Sequence, residues 1–352
     1  MKNESSTREA VQDYYGKTLA SSADLKTDAC CSIDEIPDHV KSTLCEIHPE
    51  VSKKFYGCGS PIPDALEGLT VLDLGCGSGR DCFVLSRLVG EKGKVIGVDM
   101  TDEQLAVAFE HIPWHTEKFG YSKPNVEFKN GLIEDLSALG IEDNSVDLVV
   151  SNCVINLSPN KPQVLSEIFR VLKPGGELYF SDVFASRRVP EELRKDPILH
   201  GECISGALYK EVFRRILNDL GCVDFRFITE RPLEILNPAI EKKLGMNEFV
   251  SSTVRAFKIE SLEDRCEDYG QVATYLGTVA ETPAAFQLDD HHLFEKDRPM
   301  LVCGNTAAML EETRFKKHFK VEGDRSKHFG LFDCEPATFA ATLGETSDGG
   351  CC

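Results

Sequence analysis

The sequence predicts an α/β fold: a doubly wound sheet of seven strands with helices on both faces, followed by a smaller α+β unit. Three observations carry this expectation. Val71-Leu-Asp-Leu74 is a short apolar run suited to a buried parallel strand, and it runs into Gly75-Cys-Gly77-Ser-Gly79, whose glycines let the backbone turn tightly before a helix opens at Arg80. Strand-like and helix-like periods then alternate as far as residue 260. Beyond Glu260 to Asp268 charge accumulates and clear periods become fewer, which marks a boundary.

Each element can be justified in turn. Cys82, Phe83, Leu85, Leu88 and Val89 recur at helical spacing after the glycine turn. Lys94 to Val98 reads as the second strand, and Thr101 with Gln104 as a capping box starting a helix that reaches Phe119. Residues 125 to 129 form a third strand and Val146 to Ser151 a central fourth, since the latter carries the apolar run Leu148-Val-Val150. A helix over 162 to 172 stops at Lys173-Pro-Gly-Gly176, before a fifth strand, Glu177 to Asp182. A helix over 208 to 220 and strands near 222 to 229 and 252 to 259 complete the sheet. The expected organisation is an N-terminal helix and cysteine-bearing lid over 1 to 60, the main domain over 61 to 260, and a small C-terminal domain over 261 to 352 that ends in Cys351-Cys352.

The glycine turn sits where a nucleotide would bind, and its spacing says which. A dinucleotide fingerprint wants a small residue where this chain has Arg80, so a dehydrogenase reading fits poorly. The glycines are spaced G-x-G-x-G, an acid precedes them at Asp73, and the second strand ends in Asp99. Asp99 is placed to accept ribose hydroxyls, and Asp73 to face the cationic end of a ligand. That combination suits S-adenosylmethionine, which carries a sulfonium and an ammonium and no phosphate, and the expected architecture resembles the Rossmann-like one of class I methyltransferases. Gly75, Cys76, Gly77 and Met100 flank the two acids, Ile133 and Glu134 fall where an adenine ring would be held, and Tyr15 is a candidate to close over the ligand. The fourth strand delivers Asn152 and Cys153 at its carboxyl end, the edge where open α/β sheets bind ligands.

Composition excludes several classes. With 58 acidic against 39 basic residues, a net charge of −19, a nucleic-acid partner is disfavoured. The N-terminal residues are polar and no window approaches a membrane span, so the expectation is a soluble, cytoplasmic protein, a monomer. Fourteen cysteines are then unexpected, because cytosolic thiols stay reduced. There is no C-x-x-C pair; Cys30-Cys31 and Cys351-Cys352 are vicinal, Cys58 lies between Gly57 and Gly59, and Cys203 follows Gly201-Glu202. His291-His292 invites a metal reading, but neighbouring side chains point apart on a regular helix or strand, so a shared ion is not expected.

The chain resembles the arsenite methyltransferases that use S-adenosylmethionine. The resemblance spans nearly the whole sequence, from Asp13-Tyr-Tyr-Gly16 through Tyr56-Gly-Cys-Gly59, Asp73 to Leu85 and Asp99-Met-Thr101 to Gly349-Gly-Cys-Cys352. Its most specific parts are Ser151-Asn-Cys-Val-Ile-Asn-Leu157 and Gly201-Glu-Cys203. It implies that Cys153 and Cys203, joined by Cys58, bind trivalent arsenic as thiolates, and that Cys30 pairs with Cys58 during turnover. Methyl transfer formally oxidises arsenic, so a thiol pair would reduce it again and then need an external thiol reductant, glutathione or a thioredoxin-type protein. Softness agrees, since thiolates are the donors a soft trivalent ion selects. A methyltransferase of another small molecule would have no use for cysteines at 153 and 203, and a non-catalytic metalloid-binding protein would leave Asp73 and Asp99 without a purpose.

Overall fold

The computed structural model describes residues 8, 11–12, 36–55, 57, 59–190, 193, 199, 203–233 and 238–334. The main sheet is built from β1 (Thr70–Leu74), β2 (Lys94–Asp99), β3 (Val126–Asn130), β4 (Val146–Asn152), β5 (Leu172–Ala185), β7 (Phe225–Pro232) and β8 (Phe249–Phe257), in the order β3-β2-β1-β4-β5-β8-β7. A two-residue strand, β6 (Leu208–Tyr209), pairs with the end of β5 as an eighth member. β1 to β5 are parallel, and β8 runs antiparallel between β5 and β7. This is the class I S-adenosylmethionine-dependent methyltransferase fold.

The apolar runs explain the order. β1 is buried from Val71 to Leu74 and β4 over Leu148 to Ser151, so both must lie in the centre with helices on either face. On one face Phe83, Leu85 and Val89 of the helix Arg80–Val89 pack against the sheet, and on the other Val164, Leu165 and Ile168 of the helix Lys161–Val171 do so. The chain goes from β1 to β2 on one side and later returns to β4 on the other, which opens a crevice at the carboxyl ends of β1 and β4.

Three local expectations need correction. The helix expected to run unbroken to Phe119 is two, Asp102–Glu110 and Ile112–Lys118, because Pro113 in the first turn of the second has no N–H to continue the first. Thr101 is the N-cap residue but makes no capping bond from its side chain; its N–H donates to Asp99 at 2.8 Å, and its hydroxyl faces the same carboxylate. The fifth strand is longer than expected, since β8 holds it through nine paired positions from Glu177 to Ala185.

After β8 the chain builds a smaller α+β layer. Its three-stranded sheet has β10 (Gln271–Tyr275) between β13 (Pro299–Val302) and β14 (Phe319–Glu322) and is covered by the helix Gly304–Glu311. The pairs β11 (Ala285–Gln287) with β12 (Leu293–Glu295) and β9 (Glu267–Asp268) with β15 (Gly330–Leu331) complete it. Phe257 of β8 joins the core formed by Tyr275, Phe286, Phe294 and Phe315, so the two hydrophobic cores touch.

A buried charge group crosses the same seam. Glu177 of β5 is fully buried and accepts from Arg255 of β8 and from Arg314, which lies in a short 3-10 turn after the C-terminal helix. Arg314 also donates to the carbonyl of Asp64 at 3.2 Å. Removing the carboxylate would leave two buried guanidinium groups facing each other. Glu177→Ala is therefore expected to cost about 3–5 kcal/mol. Thermal unfolding followed by circular dichroism checks this, and a melting temperature equal to wild type would show that the group carries no stability.

Candidate active site

The crevice at the carboxyl ends of β1 and β4 forms a cleft. Asp73, Gly75, Cys76, Gly77, Asp99, Met100, Ile133, Glu134, Asn152 and Cys153 all line it. Tyr15, Cys30 and Cys58 lie outside the described residues.

The glycine turn is clipped to β2, as the N–H groups of Gly75 and Cys76 both donate to the carbonyl of Val98, at 2.7 and 3.1 Å. Gly75 has a φ of 72°, and a Cβ there would meet Val154 at 2.3 Å, so only glycine lets the turn lie against β4. Asp99 accepts from the N–H of Gly77 on one oxygen and that of Thr101 on the other, both at 2.8 Å. The Thr101 hydroxyl and the Met100 backbone also act on this carboxylate, which fixes its place in the cleft wall.

The walls are acidic. Asp73 accepts from the thiol of Cys82 at 3.2 Å and is otherwise enclosed; burial, reinforced by the nearby charge of Asp81, pushes its carboxyl up to about 8. Asp81 pairs with Arg80 at 2.7 Å and accepts from Asn152 at 3.0 Å. Asp73, Asp81, Asp99 and Glu134 line the cleft against Arg8 and Lys54, an acidic excess among the described residues that suits a ligand bringing positive charge. Asp81 was missed by the sequence reading, although its place beside Arg80 at the start of the helix is a usable signal. The N-terminal residues Arg8, Val11 and Gln12 were missed as well. Gln12 donates to the carbonyl of Met100 at 2.8 Å, Arg8 pairs with Glu134 at 3.4 Å, and Ser158 donates to Glu134 at 2.8 Å.

Sulfur meets the cleft at its β4 side. Cys153 lines it, and the sulfurs of Cys153 and Cys203 lie with a carboxylate oxygen of Asp182 within 4.8 Å of one another. The Cys203 thiol donates to the carbonyl of Cys153 at 3.2 Å. Both residues have left-handed backbones, with φ of 58° and 63°. Non-glycine residues pay about 1–2 kcal/mol for that conformation, and it concentrates at functional positions. Cys153 is itself disulfide-bonded. Asp182 is the third member and another residue the sequence reading missed: it accepts from the N–H of Val183 and from Asn156, and burial pushes it up to about 6. Gly57 and Gly59 come close to this group, since Asn152 donates to the Gly59 carbonyl at 2.9 Å and a Cβ on Gly57 would meet Asn152 at 2.5 Å.

Two further cysteines, Cys76 and Cys222, are buried. Burial pushes Cys76 up to about 11 and Cys222 up to about 12, which keeps both as neutral thiols. His291 and His292 depart from expectation: an irregular turn, with neither helix nor strand period, brings both rings onto Asp289, at 3.5 and 2.8 Å.

Fold and cleft together define an S-adenosylmethionine-dependent methyltransferase of class I. Residues 65–221 match the model of a methyltransferase domain, and residues 269–339 that of the arsenite methyltransferase C-terminal domain. The chain is 53% identical over 325 residues to an arsenite methyltransferase of Aquipseudomonas alcaligenes, covering 92% of this chain and 93% of that one. It is 44% identical to the arsenite methyltransferase of Homo sapiens, covering 88% and 82%. The crystal structure of an arsenic(III) S-adenosylmethionine methyltransferase from Chlamydomonas reinhardtii matches it with a TM-score of 0.82 at 50% identity, over 85% of this chain and 100% of that one. The chain belongs to the arsenite methyltransferase family.

The state of Asp73 yields a pH dependence. A cationic ligand favours the ionised carboxylate, whereas burial by itself keeps the carboxyl protonated below about pH 8. Binding must then release a proton, and affinity for S-adenosylmethionine should rise towards tenfold per pH unit between roughly pH 6 and 7.5. Calorimetry in buffers of different ionisation enthalpy measures the proton directly. A pH-independent affinity with no proton released would remove Asp73 from contact with the cation.

Proposed function

We propose that this chain methylates trivalent arsenic held by Cys153 and Cys203, with Cys58 as a third sulfur and Cys30 as the partner that closes a disulfide with it. The observation that carries the reading is the meeting of two sulfurs from separate segments at the wall of an acidic cleft.

Asp99, Met100, Ile133, Glu134 and Asn152 would hold the nucleoside, with Asp73 and Asp81 facing the positive end. Bound S-adenosylmethionine supplies a methyl group on a sulfonium. The residues around it do the rest. Two thiolates hold arsenic with its lone pair available, and the enclosing side chains Val154 and Leu157 keep water away. Thiol capture of arsenite exchanges arsenic-bound hydroxyl for sulfur and releases water, so protons must move from sulfur to departing oxygen. Asp182, beside both sulfurs and poised near neutrality, is suited to pass them. The disulfide at Cys153 supports a step in which a thiol first frees the sulfur. On this reading the enzyme works as a monomer in the cytoplasm, where glutathione or a thioredoxin-type protein supplies that thiol.

Substitution separates the roles. Cys153→Ser and Cys203→Ser should each lower methylation of both arsenite and methylarsenite by at least about two orders of magnitude, because a hydroxyl is a hard and poorly ionised donor, while cofactor affinity stays within about twofold. Cys30→Ser and Cys58→Ser should lose arsenite methylation yet keep that of methylarsenite, which needs only two sulfurs. Single-turnover product analysis by mass spectrometry decides the matter. A Cys203 variant active on methylarsenite, or a Cys58 variant inactive on it, would overturn the division into binding and redox thiols.

A further inference from the structure

A second group of thiols stands in the C-terminal layer. The sulfurs of Cys266, Cys303 and Cys334 lie within 4.8 Å of one another, and all three are free cysteines. None of them lines the cofactor cleft. Three separate segments bring them together. Cys266 immediately precedes β9, Cys334 follows β15, and the pairing of those strands is extended by the Phe332 N–H donating to the Cys266 carbonyl at 2.8 Å. Cys303 ends the stretch after β13 and is the N-cap residue of the helix Gly304–Glu311.

The surroundings favour a thiolate at Cys303. The Cys303 sulfur accepts from the N–H of Thr306 at 3.4 Å, its hydroxyl lies at 3.3 Å, and a guanidinium nitrogen of Arg226 lies at 4.0 Å. Arg226 is buried and held in place by Asp224 at 2.7 Å and Asp289 at 3.3 Å. Cys303 is fully buried, whereas Cys266 and Cys334 are partly exposed, so a small solute can reach the group from one side.

We propose that Cys266, Cys303 and Cys334 form a second site for trivalent arsenic, apart from the methyl-transfer cleft, in which all three sulfurs bind one atom. Three features select this occupant. Among the described residues the group contains three sulfurs and no fourth histidine or carboxylate donor, whereas structural zinc takes four ligands in a tetrahedron. Arsenic(III) takes three sulfurs and leaves its fourth direction to a lone pair. Arg226 is already paired with Asp224 and Asp289, so a divalent ion on three thiolates, with a net charge of −1, would be left uncompensated, whereas a trithiolate of a trivalent element is neutral. The step balances without a redox change: arsenous acid with three thiols gives the arsenic trithiolate and three waters, each thiol proton leaving with one arsenic-bound hydroxyl. The proposal stands independently of the roles given to Cys153 and Cys203.

The test uses full-length protein, reduced, freed of reductant under nitrogen and loaded with arsenite; bound arsenic is counted by mass spectrometry after desalting. The Cys153→Ser/Cys203→Ser protein should retain about one arsenic per chain, and adding Cys334→Ser should lower its affinity at least about tenfold. X-ray absorption on the retained arsenic should show three sulfur neighbours and no oxygen. Cys334→Ser alone should leave methylation unchanged, which also shows that the variant folds. The proposal is overturned if the double variant retains no arsenic, if Cys334→Ser does not weaken what it retains, if the retained arsenic has oxygen neighbours, or if equimolar zinc displaces it.

Discussion

The structure depends on the register between β1 and β4. Leu74 stands opposite Ser151, so the glycine turn that follows the first strand and the Asn152-Cys153 corner that follows the fourth lie side by side. Val154 presses on Gly75 where any Cβ would stand, and Ser151 donates to the Leu74 carbonyl at 3.0 Å. A slip of one residue would turn alternate side chains to the opposite face and part the turn from the thiol. The glycine turn and the Cys153 corner of the cleft are thereby positioned by one pairing register, and the rest of the sheet serves to hold it.

The two ends ask for opposite environments. A cationic ligand is served by carboxylates, and on the cleft wall Asp73, Asp81, Asp99 and Glu134 outnumber Arg8 and Lys54. A soft, neutral arsenical is served by sulfur in a dry place, and Cys153 and Cys203 sit in an apolar cluster with Val183, Val189, Ile204 and Phe249. That cluster also offsets the backbone cost of two cysteines in the left-handed region. Asn152 joins the ends, since its amide donates both to Asp81 and to the carbonyl of Gly59.

Much of this was legible in the sequence because it is local. The glycine turn, the acid before it and the acid ending the next strand are fixed offsets along one β-α-β unit, and the apolar run of the fourth strand announces its central place. What escaped is either non-local or decided by competition. Asp182 reads as an ordinary strand-end residue until Cys153 and Cys203 are folded against it. The Thr101 cap failed because Asp99 takes both its N–H and its hydroxyl, a tertiary demand that outweighs a local motif. His291 and His292 were judged by the rules of regular elements, and they lie in a turn that obeys neither.

The cysteines sharpen the point. Spacing offered no C-x-x-C pair, so the thiols had no local signature to separate ligands from packing. Surroundings do separate them. Cys76 and Cys222 are buried, and burial makes their thiolates unfavourable. Cys153 and Cys203 are distinguished by left-handed backbone and by convergence on a carboxylate, Cys303 by a helix N-terminus and a buried guanidinium. In an acidic chain with few cations to spare near its core, Arg226 is held beside a sulfur by two aspartates, one of which also gathers His291 and His292. Because Arg226 belongs to β7 while Asp289 and Cys303 belong to the C-terminal layer, the charge that favours a thiolate there exists only when the two layers are docked. Glu177, through Arg255 and Arg314, makes the same connection at another point of the seam. Thiol chemistry in the smaller layer is therefore a property of the assembled chain and not of that layer alone.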